Sequence, residues 1–275
     1  MKGIILSGGL GTRLNPVTKS ASKQLLPVYD KPMIYYPLSL LIDLKVKEIL
    51  LITNSQYIQN YKDLLKDGNQ WGIKISYLIQ DKPRGIAEAF ILGKDFIKNE
   101  KVALILGDNI FYGIDIDKIN KIISKNFNGC LISIYNVDKP ENYGVLEYTK
   151  SKPNKIIEKP KKTKSKFAVT GLYFYDNNVI KYSKQIKPSN RGELEITDLN
   201  NIYIKRKSAK INLLGQGSVW LDAGSFKSLL QSSQFIQTIQ ERQNIMIGSP
   251  DLSSLNVKNI SHIKFKKNLK KMPKS

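Results

Sequence analysis

Short runs of consecutive apolar residues, each followed by a helix-like pattern, recur through the first half of the chain. The apolar runs lie at residues 3–6, 48–53, 75–79, 102–106 and 131–137. Between them, apolar residues recur at helical spacing, notably at 33–44, 58–65, 86–96 and 119–123. Continuous apolar strands that alternate with helices are typical of a parallel sheet covered on both faces. The pattern therefore predicts an α/β fold with a Rossmann-like, mostly parallel central sheet flanked by helices.

From Tyr143 onward the pattern changes to short strands and turns, at 143–148, 155–158 and 168–175. A helical stretch at 195–205, a strand at 210–214 and a C-terminal helix at 225–242 follow. We therefore expect a smaller second part within one domain that covers residues 1–245. Residues 246–275 lose the regular apolar period, so we expect a short lysine-rich C-terminal tail, and its composition is compatible with disorder.

The charge of the chain raises the question of a nucleic-acid partner. The 275 residues carry a formal net charge of +21, and 41% are hydrophobic, enough for a sizeable core. Seven of the lysines lie in residues 256–275, which contain no acid, and the others are scattered among asparagines and isoleucines. Zinc-finger spacing and RNA-binding aromatic strands are absent from the sequence. We therefore expect no nucleic acid as the primary ligand.

The compartment is predicted from three further features. No apolar run approaches the roughly 18 residues of a membrane span, so no membrane partner is expected. The apolar run near the N-terminus is too short for a signal peptide. The one cysteine, Cys130, excludes an internal disulfide. A cytoplasmic location is the simplest interpretation.

Candidate chemistry clusters where the predicted parallel strands end. Open α/β sheets bind ligands beyond the carboxyl ends of their strands. That rule selects the loop after Leu6, the loop after Ile79, and Asp108 directly after the strand that ends at Leu106. The first of these loops reads Gly8-Gly9-Leu10-Gly11-Thr12-Arg13. Its glycines let backbone N–H groups approach a phosphate, although the P-loop pattern is absent and an ordinary tight turn has a similar composition.

Further motifs follow the glycine loop along the chain. The glycine loop continues through Pro16 and Thr18 into Ser22-Lys23-Gln24-Leu25-Leu26-Pro27. Further segments follow in order: 30–37 (DKPMIYYP), 106–113 (LGDNIFYG), 158–160 (EKP), 169–176 (VTGLYFYD), 191–198 (RGELEITD) and 220–224 (WLDAG). With these motifs the chain resembles the glucose-1-phosphate thymidylyltransferases of the sugar nucleotidyltransferase family, over residues 1 to about 245.

The resemblance implies an enzyme that joins dTTP to α-D-glucose 1-phosphate with the help of Mg²⁺ and releases pyrophosphate. The residues implied to bind the nucleotide are Gly8, Gly11, Thr12, Arg13, Lys23, Gln24, Gln80 and Gly85. Those implied to surround the sugar phosphate are Asn109, Gly144, Glu158, Lys159, Val169 and Arg191. Asp108 and Asp222 are implied metal ligands, and Arg13, Lys23 and Asp108 are the implied catalytic group. A phosphate monoester is largely dianionic at neutral pH, so no general base is required.

The chain departs from the family pattern in two places. Ala223 and Phe226 stand where the family usually has a threonine and a histidine, and residues 249–275 match its last segments poorly. The resemblance implies a homotetramer, whose contacts we expect from the 225–242 helix with its Leu229, Leu230, Phe235, Ile236 and Ile239. A chain that ends near Pro250 is accordingly expected to keep its fold.

Three alternative functions remain open at this point. The first is another enzyme of this kind: a uridylyl- or adenylyltransferase, or a thymidylyltransferase that uses the phosphate of an amino or deoxy hexose. The second is a non-catalytic protein that binds sugar nucleotides, which the intact Arg13, Lys23, Asp108 and Asp222 disfavour. The third is a basic nucleic-acid binder, which predicts strongly salt-dependent binding to DNA.

Overall fold

The computed structural model describes residues 1–9, 11–124 and 126–270. Its strands are β1 (Lys2–Leu6), β2 (Pro27–Val28), β3 (Lys31–Pro32), β4 (Glu48–Thr53), β5 (Lys74–Ile79), β6 (Val102–Leu106), β7 (Asn109–Tyr112), β8 (Cys130–Asn136), β9 (Gly144–Thr149), β10 (Lys152–Glu158), β11 (Phe167–Tyr175), β12 (Ala209–Leu213) and β13 (Val219–Asp222). Its helices are α1 (Tyr35–Asp43), α2 (Ile58–Leu65), α3 (Glu88–Leu92), α4 (Lys94–Ile97), α5 (Ile116–Ile122), α6 (Asn178–Ser183), α7 (Ile196–Lys205), α8 (Phe226–Gln243), α9 (Pro250–Asn256) and α10 (His262–Leu269). Within the described residues, no helix has the length and apolar character needed to cross a bilayer.

The predicted α/β class is confirmed, and the chain divides into two compact units. The parallel-sheet unit comprises residues 2–82, 106–112 and the chain from 221 onward. In it β1 pairs with β4, and β4 with β5, both in parallel, with Ile4 opposite Leu50 and Leu50 opposite Ser76. Nearly all of β1 and β4 is buried, which explains their uninterrupted apolar sequences.

The mixed-sheet unit comprises residues 83–105 and 113–220, together with Met1. Its central strand, β11, pairs antiparallel with β6, β8 and β9, and β10 forms an antiparallel pair with β9. Tyr175 on β11 is fully buried and contacts the rings of Phe90 and Tyr203, at centroid distances of 5.1 and 5.5 Å. This second part of the chain holds the short strands that the change of pattern at Tyr143 predicts.

Helix α8 packs into the core of its own chain. Ser225 caps its first turn, accepting a hydrogen bond from Ser228 N, and Ile236 is fully buried. The apolar cluster around α8 consists of Val28, Met33, Tyr36, Ile110, Ala223, Ile236 and Ile247, with Leu229, Phe235 and Ile239 packed against it. Of the five side chains expected to build subunit contacts, only Leu230 is largely exposed, at 59%. Of the other four, Ile236 is buried in the core of the unit, and Leu229, Phe235 and Ile239 are partly buried against it.

In the described part of the predicted tail, residues 246–270, the chain forms the helices α9 and α10, although its composition is compatible with disorder. Residues 271–275 of the predicted tail lie outside the described residues. Ser249 caps α9, and the buried Asp251 accepts a hydrogen bond from Asn268 Nδ2 at 2.7 Å. Asn268 and Lys264 of α10 also donate to the carbonyls of Gln70 and Asn69. Polar contacts attach α9 and α10 to the rest of the unit, so their sequence shows no regular spacing of apolar residues.

Removing α9 and α10 should therefore destabilise the protein, contrary to the sequence-based expectation. We expect a chain that ends at Ser249 to melt at least about 10 °C below the full chain, since each kcal/mol lost lowers the melting temperature by about 2–4 °C at this size. Differential scanning calorimetry measures the shift. A chain that ends at Lys270 keeps α9 and α10; it is the matched control and should melt well above the chain that ends at Ser249. Equal melting temperatures for both truncations would contradict the packing of α9.

Candidate active site

The loops at the carboxyl ends of the parallel strands lie together, as the sequence predicts. Ser7 N, just after β1, donates to the carbonyl of Ile52 at 2.8 Å, and Gly107 N donates to the carbonyl of Leu6 at 2.9 Å. Gln80, the first residue after β5, donates its backbone N–H to Thr53 O at 2.7 Å. The three loops selected by the strand-end rule are thus joined by backbone hydrogen bonds at one edge of the parallel-sheet unit.

Two glycines of the first loop lie close to neighbouring side chains. A Cβ at Gly8 would lie 2.8 Å from Oε1 of Gln80, so a side chain there would displace the glutamine. Gly11 has φ of 63°, and its Cβ would lie 2.9 Å from Cγ2 of Thr18. The hydroxyl of Thr18 donates to the Gly11 carbonyl at 2.9 Å and so fixes the turn into the short 3₁₀ helix Thr12–Leu14.

The main ionic contact of this edge joins Lys23 to Asp108. The Lys23 ammonium bonds Oδ2 of Asp108, and both side chains are largely shielded from solvent. Asn109 Nδ2 donates to Oδ1 of the same carboxylate at 2.9 Å. Burial raises the pKa of Asp108, but the Lys23 charge and the hydrogen bonds from Lys23 and Asn109 outweigh it and hold that pKa below its usual range. Asp108 is therefore a carboxylate at neutral pH.

Arg13 and Asp222 lie at the same edge, and both side chains approach Gly224. A Cβ at Gly224 would lie 2.8 Å from Nη2 of Arg13 and 2.9 Å from Oδ1 of Asp222. Ala223 N donates to the backbone carbonyl of Asp108 at 3.2 Å, so the two candidate metal ligands are brought close together along the backbone. No group of three or more His, Cys, Asp or Glu side chains suited to a metal occurs in the part of the chain that the structure describes. A cation held here would rest on two carboxylates and on oxygens from a ligand.

The side chain of Gln24 is held by two hydroxyl groups. Ser22 Oγ donates to Gln24 Oε1 at 3.0 Å, and the Tyr61 hydroxyl lies 2.8 Å from Ser22 Oγ. Sequence reasoning selected Gln24 but gave no role to Tyr61, which belongs to the ordinary helical pattern of α2. Ser22 is part of the quoted motif, and its place two residues before Gln24 is the one sequence signal for this contact.

The candidate sugar-phosphate residues, apart from Asn109, belong to the mixed-sheet unit. Glu158 pairs with Gly144 across β10 and β9, and its Oε2 accepts a hydrogen bond from the Thr197 hydroxyl at 2.6 Å. A Cβ at Gly144 would lie 3.2 Å from the same oxygen, so the glycine leaves space beside this carboxylate. Val169 is buried on β11. Thr197 was not predicted as a site residue, although it lies inside the quoted 191–198 motif.

Two cations of this unit have very different surroundings. Arg191 donates to both carboxylate oxygens of Glu195 at 2.9 and 3.0 Å and lies 3.5 Å from Glu193 and 3.7 Å from Glu158. Lys159 is exposed, and its ammonium makes no hydrogen bond or ion pair within residues 1–9, 11–124 and 126–270. Lys159 is thus the better placed of the two to receive an anion.

Gly85 also lies in the mixed-sheet unit, although the resemblance implies a nucleotide-binding role for it. Its φ is 102°, and a Cβ there would collide with the backbone of Leu194. The packing alone therefore explains why this position is glycine.

Comparisons with known proteins agree with this arrangement. The model of the nucleotidyl transferase family matches residues 2–239. The chain is 50% identical over 248 residues to a glucose-1-phosphate thymidylyltransferase of Neisseria meningitidis serogroup A, covering 90% of this chain and 86% of that one. It is 48% identical to the enzyme of that name from Mycolicibacterium smegmatis, over 91% of this chain and 87% of that one.

Solved structures show the same likeness. A Bacillus anthracis protein assigned as a glucose-1-phosphate thymidylyltransferase and crystallised with sucrose superposes with a TM-score of 0.82 and 40% identity, covering 91% of this chain and 98% of that chain. A UDP-glucose pyrophosphorylase complexed with UDP-glucose gives a TM-score of 0.73 at 25% identity, covering 86% and 98%. The confirmed fold and the sequence likeness thus point to the same group of enzymes.

Asp108→Asn should lower the free energy of unfolding at neutral pH by about 3–5 kcal/mol, because Lys23 then stays buried without a counter-charge. The folded-state pKa of Asp108 lies below its unfolded value, so its stabilisation is present above the unfolded pKa, about 4, and is lost as the pH falls through the folded pKa. The difference between wild type and variant should therefore shrink as the pH falls from about 5 toward 2.

Urea unfolding across this pH range measures the difference. Asp63→Asn is the matched control, since Asp63 is an exposed acid on α2 bonded to Gln59. A difference for Asp108→Asn that stayed constant with pH would contradict the ionic contact.

Proposed function

The chain belongs to the nucleotidyl transferase family, and we propose that it is a glucose-1-phosphate thymidylyltransferase. The reaction joins dTTP and α-D-glucose 1-phosphate into dTDP-glucose and releases pyrophosphate. The observation that carries the proposal is the grouping of Arg13, Lys23, Asp108 and Asp222 where the parallel strands end, in a chain 50% identical to an enzyme of that name.

The parallel-sheet unit supplies the groups for the nucleotide. The glycine loop, with Gly8, Gly11 and Thr12, offers backbone N–H groups to the triphosphate, and Arg13 and Lys23 offer positive charge. Gln24 and Gln80 present amide groups for the edge of the pyrimidine. Gly85, whose place is in the other unit, belongs to the nucleotide site by resemblance.

Mg²⁺ fits the donor set of this edge. Asp108 is ionised, Asp222 lies next to the residue that bonds the Asp108 backbone, and carboxylates with phosphate oxygens are the ligands that Mg²⁺ prefers. Asp108 and Asp222 would hold the ion, which supplies a Lewis acid for phosphate oxygens.

The mixed-sheet unit supplies groups for the hexose phosphate. Lys159 is the cation for the phosphate, and the Glu158 carboxylate beside Gly144 is suited to accept hydrogen bonds from hexose hydroxyls. Arg191 holds Glu195 and Glu158 in place and adds charge at the edge of this group. Val169 and Asn109 complete the set that the resemblance implies.

The chemistry needs positioning and charge rather than a base. An oxygen of the sugar phosphate attacks the α-phosphorus of dTTP, and the bond from that phosphorus to the bridging oxygen of the β-phosphate breaks. Negative charge then develops on the pyrophosphate leaving group, where Arg13 and Lys23 stabilise it. Since the phosphate monoester is already largely ionised at neutral pH, no residue has to remove a proton.

Location and assembly complete the proposal. The single cysteine, Cys130, is buried and unpaired, in keeping with a reducing cytoplasm. A homotetramer follows from the family resemblance, and the largely exposed Phe226 and Leu230 of α8 provide apolar surface for a subunit contact.

Pyrophosphate release measures the proposed activity directly. With glucose 1-phosphate and Mg²⁺, we expect turnover with dTTP to exceed that with UTP, CTP, ATP or GTP, and to vanish when Mg²⁺ is withheld. A preference for UTP would identify a uridylyltransferase. The absence of turnover with every nucleotide, in a protein that still binds dTDP-glucose, would identify a non-catalytic binding protein.

Lys159→Ala should raise the KM for glucose 1-phosphate by about tenfold or more, because a charged hydrogen bond to phosphate is lost. The KM for dTTP should stay within about twofold, since the partner lost belongs to the acceptor. Steady-state kinetics with each substrate varied in turn separates the two effects. Lys161→Ala, an exposed lysine two residues away, is the matched control. Equal losses for both substrates would remove Lys159 from the sugar-phosphate site.

A further inference from the structure

We propose that Tyr61 and Ser22 are positioning residues that fix the amide of Gln24, and that this favours a pyrimidine with a carbonyl rather than an amino group at ring position 4. The inference rests on the function proposed above, in which Gln24 reads the base. It assigns a role to two residues outside the predicted site.

The hydrogen bonds run in one direction, from Tyr61 through Ser22 to Gln24. Ser22 Oγ has a single proton and donates it to Gln24 Oε1 at 3.0 Å. The 2.8 Å contact between the Ser22 and Tyr61 hydroxyls then requires Tyr61 to be the donor. The Tyr61 hydroxyl also lies 3.4 Å from Gln24 Oε1. Both hydroxyls therefore face the carbonyl oxygen of the glutamine amide.

Burial of these three side chains favours one orientation of the Gln24 amide. Gln24 is 4% exposed, Ser22 3% and Tyr61 0%, so water competes little for these groups. The same burial raises the pKa of Tyr61 to about 12, which keeps its hydroxyl protonated over the working range of pH. The stem of Gln24 packs beside Gly107, where a Cβ would lie 3.0 Å from Cγ. Rotation of either the aliphatic part or the amide of Gln24 would therefore cost free energy.

The fixed amide has a chemical consequence for the base. With its oxygen bonded by the Ser22 hydroxyl and faced by that of Tyr61, Gln24 has its NH₂ group left as the end that can meet a ligand. An NH₂ donor pairs with the carbonyl oxygen at position 4 of thymine or uracil. Cytosine has an amino group there, so two donors would face each other and remain unpaired in a buried site. Such unpaired polar groups give strong discrimination between substrates.

The test compares dTTP with dCTP in the full-length protein. Tyr61→Phe and Ser22→Ala should each lower the ratio of kcat/KM for dTTP to kcat/KM for dCTP by about tenfold, the effect of roughly one buried hydrogen bond. Ser22→Thr keeps the hydroxyl and should restore the ratio. Tyr36→Phe is the control, because it removes another buried phenol that bonds a backbone carbonyl, that of Val28. The dTTP-to-dCTP ratio of kcat/KM in Tyr36→Phe should match that of the wild-type protein.

A second measurement separates positioning from general loosening of the fold. In a Gln24→Ala background, adding Tyr61→Phe should leave the ratio unchanged, since no amide remains to be positioned. An unchanged ratio in Ser22→Ala and Tyr61→Phe alone, or an equal drop in the Gln24→Ala background, would overturn the inference. Wild-type protein that releases no pyrophosphate from dTTP and glucose 1-phosphate would instead overturn the proposed function. If Tyr61→Phe does not fold, Ser22→Ala and Ser22→Thr decide the matter.

Discussion

The ion pair between Lys23 and Asp108 is the constraint on which the rest of the candidate nucleotide site depends. A carboxylate shielded from water at the end of a buried strand is costly unless a counter-charge accompanies it, and Lys23 provides that charge. Because Lys23 belongs to the short 3₁₀ helix Lys23–Leu25, the pair also fixes the backbone on either side of it. Ser22 and Gln24 are thereby held beside α2, where Tyr61 reaches them. One contact thus couples the residues proposed for phosphate to those proposed for the base.

The sequence predicted which residues would gather at this edge, but not how they would be held. Apolar strands alternating with helices indicate a parallel sheet, and the strand-end rule places the glycine loop, Gln80 and Asp108 together. Backbone hydrogen bonds that join each of these loops to a neighbouring strand end agree with that placement. The orientation of Gln24 depends instead on Tyr61, a buried aromatic residue on the inner face of α2. In a sequence, such a residue is indistinguishable from an ordinary core position.

The C-terminal segment was predicted less well for a related reason. Helix α9 buries small polar residues, Ser253 and Ser254, as well as Asp251, so it has no apolar stripe to detect. Burial also raises the pKa of Asp43, the last residue of α1, to about 6. A hydrogen bond with Ser253 of α9 partly offsets that rise. Composition alone predicted a solvated lysine-rich tail, whereas the described residues pack through individual hydrogen bonds. Pairwise contacts of this kind leave no periodic signal in a sequence.

The cations of the two units differ in what an incoming anion must displace. Lys23 is bonded to Asp108, and Arg191 is bonded to both oxygens of Glu195, so each holds a carboxylate before any substrate arrives. An anion reaches such a cation only by sharing it with that carboxylate or by replacing it. A phosphate dianion carries more charge than a carboxylate and gains from the exchange, whereas a ligand carboxylate gains nothing. Lys159 is exposed and imposes no such requirement, so it can attract either kind of anion. In the function proposed above, selectivity for phosphate would come from the paired cations, and the first capture of the sugar phosphate from Lys159.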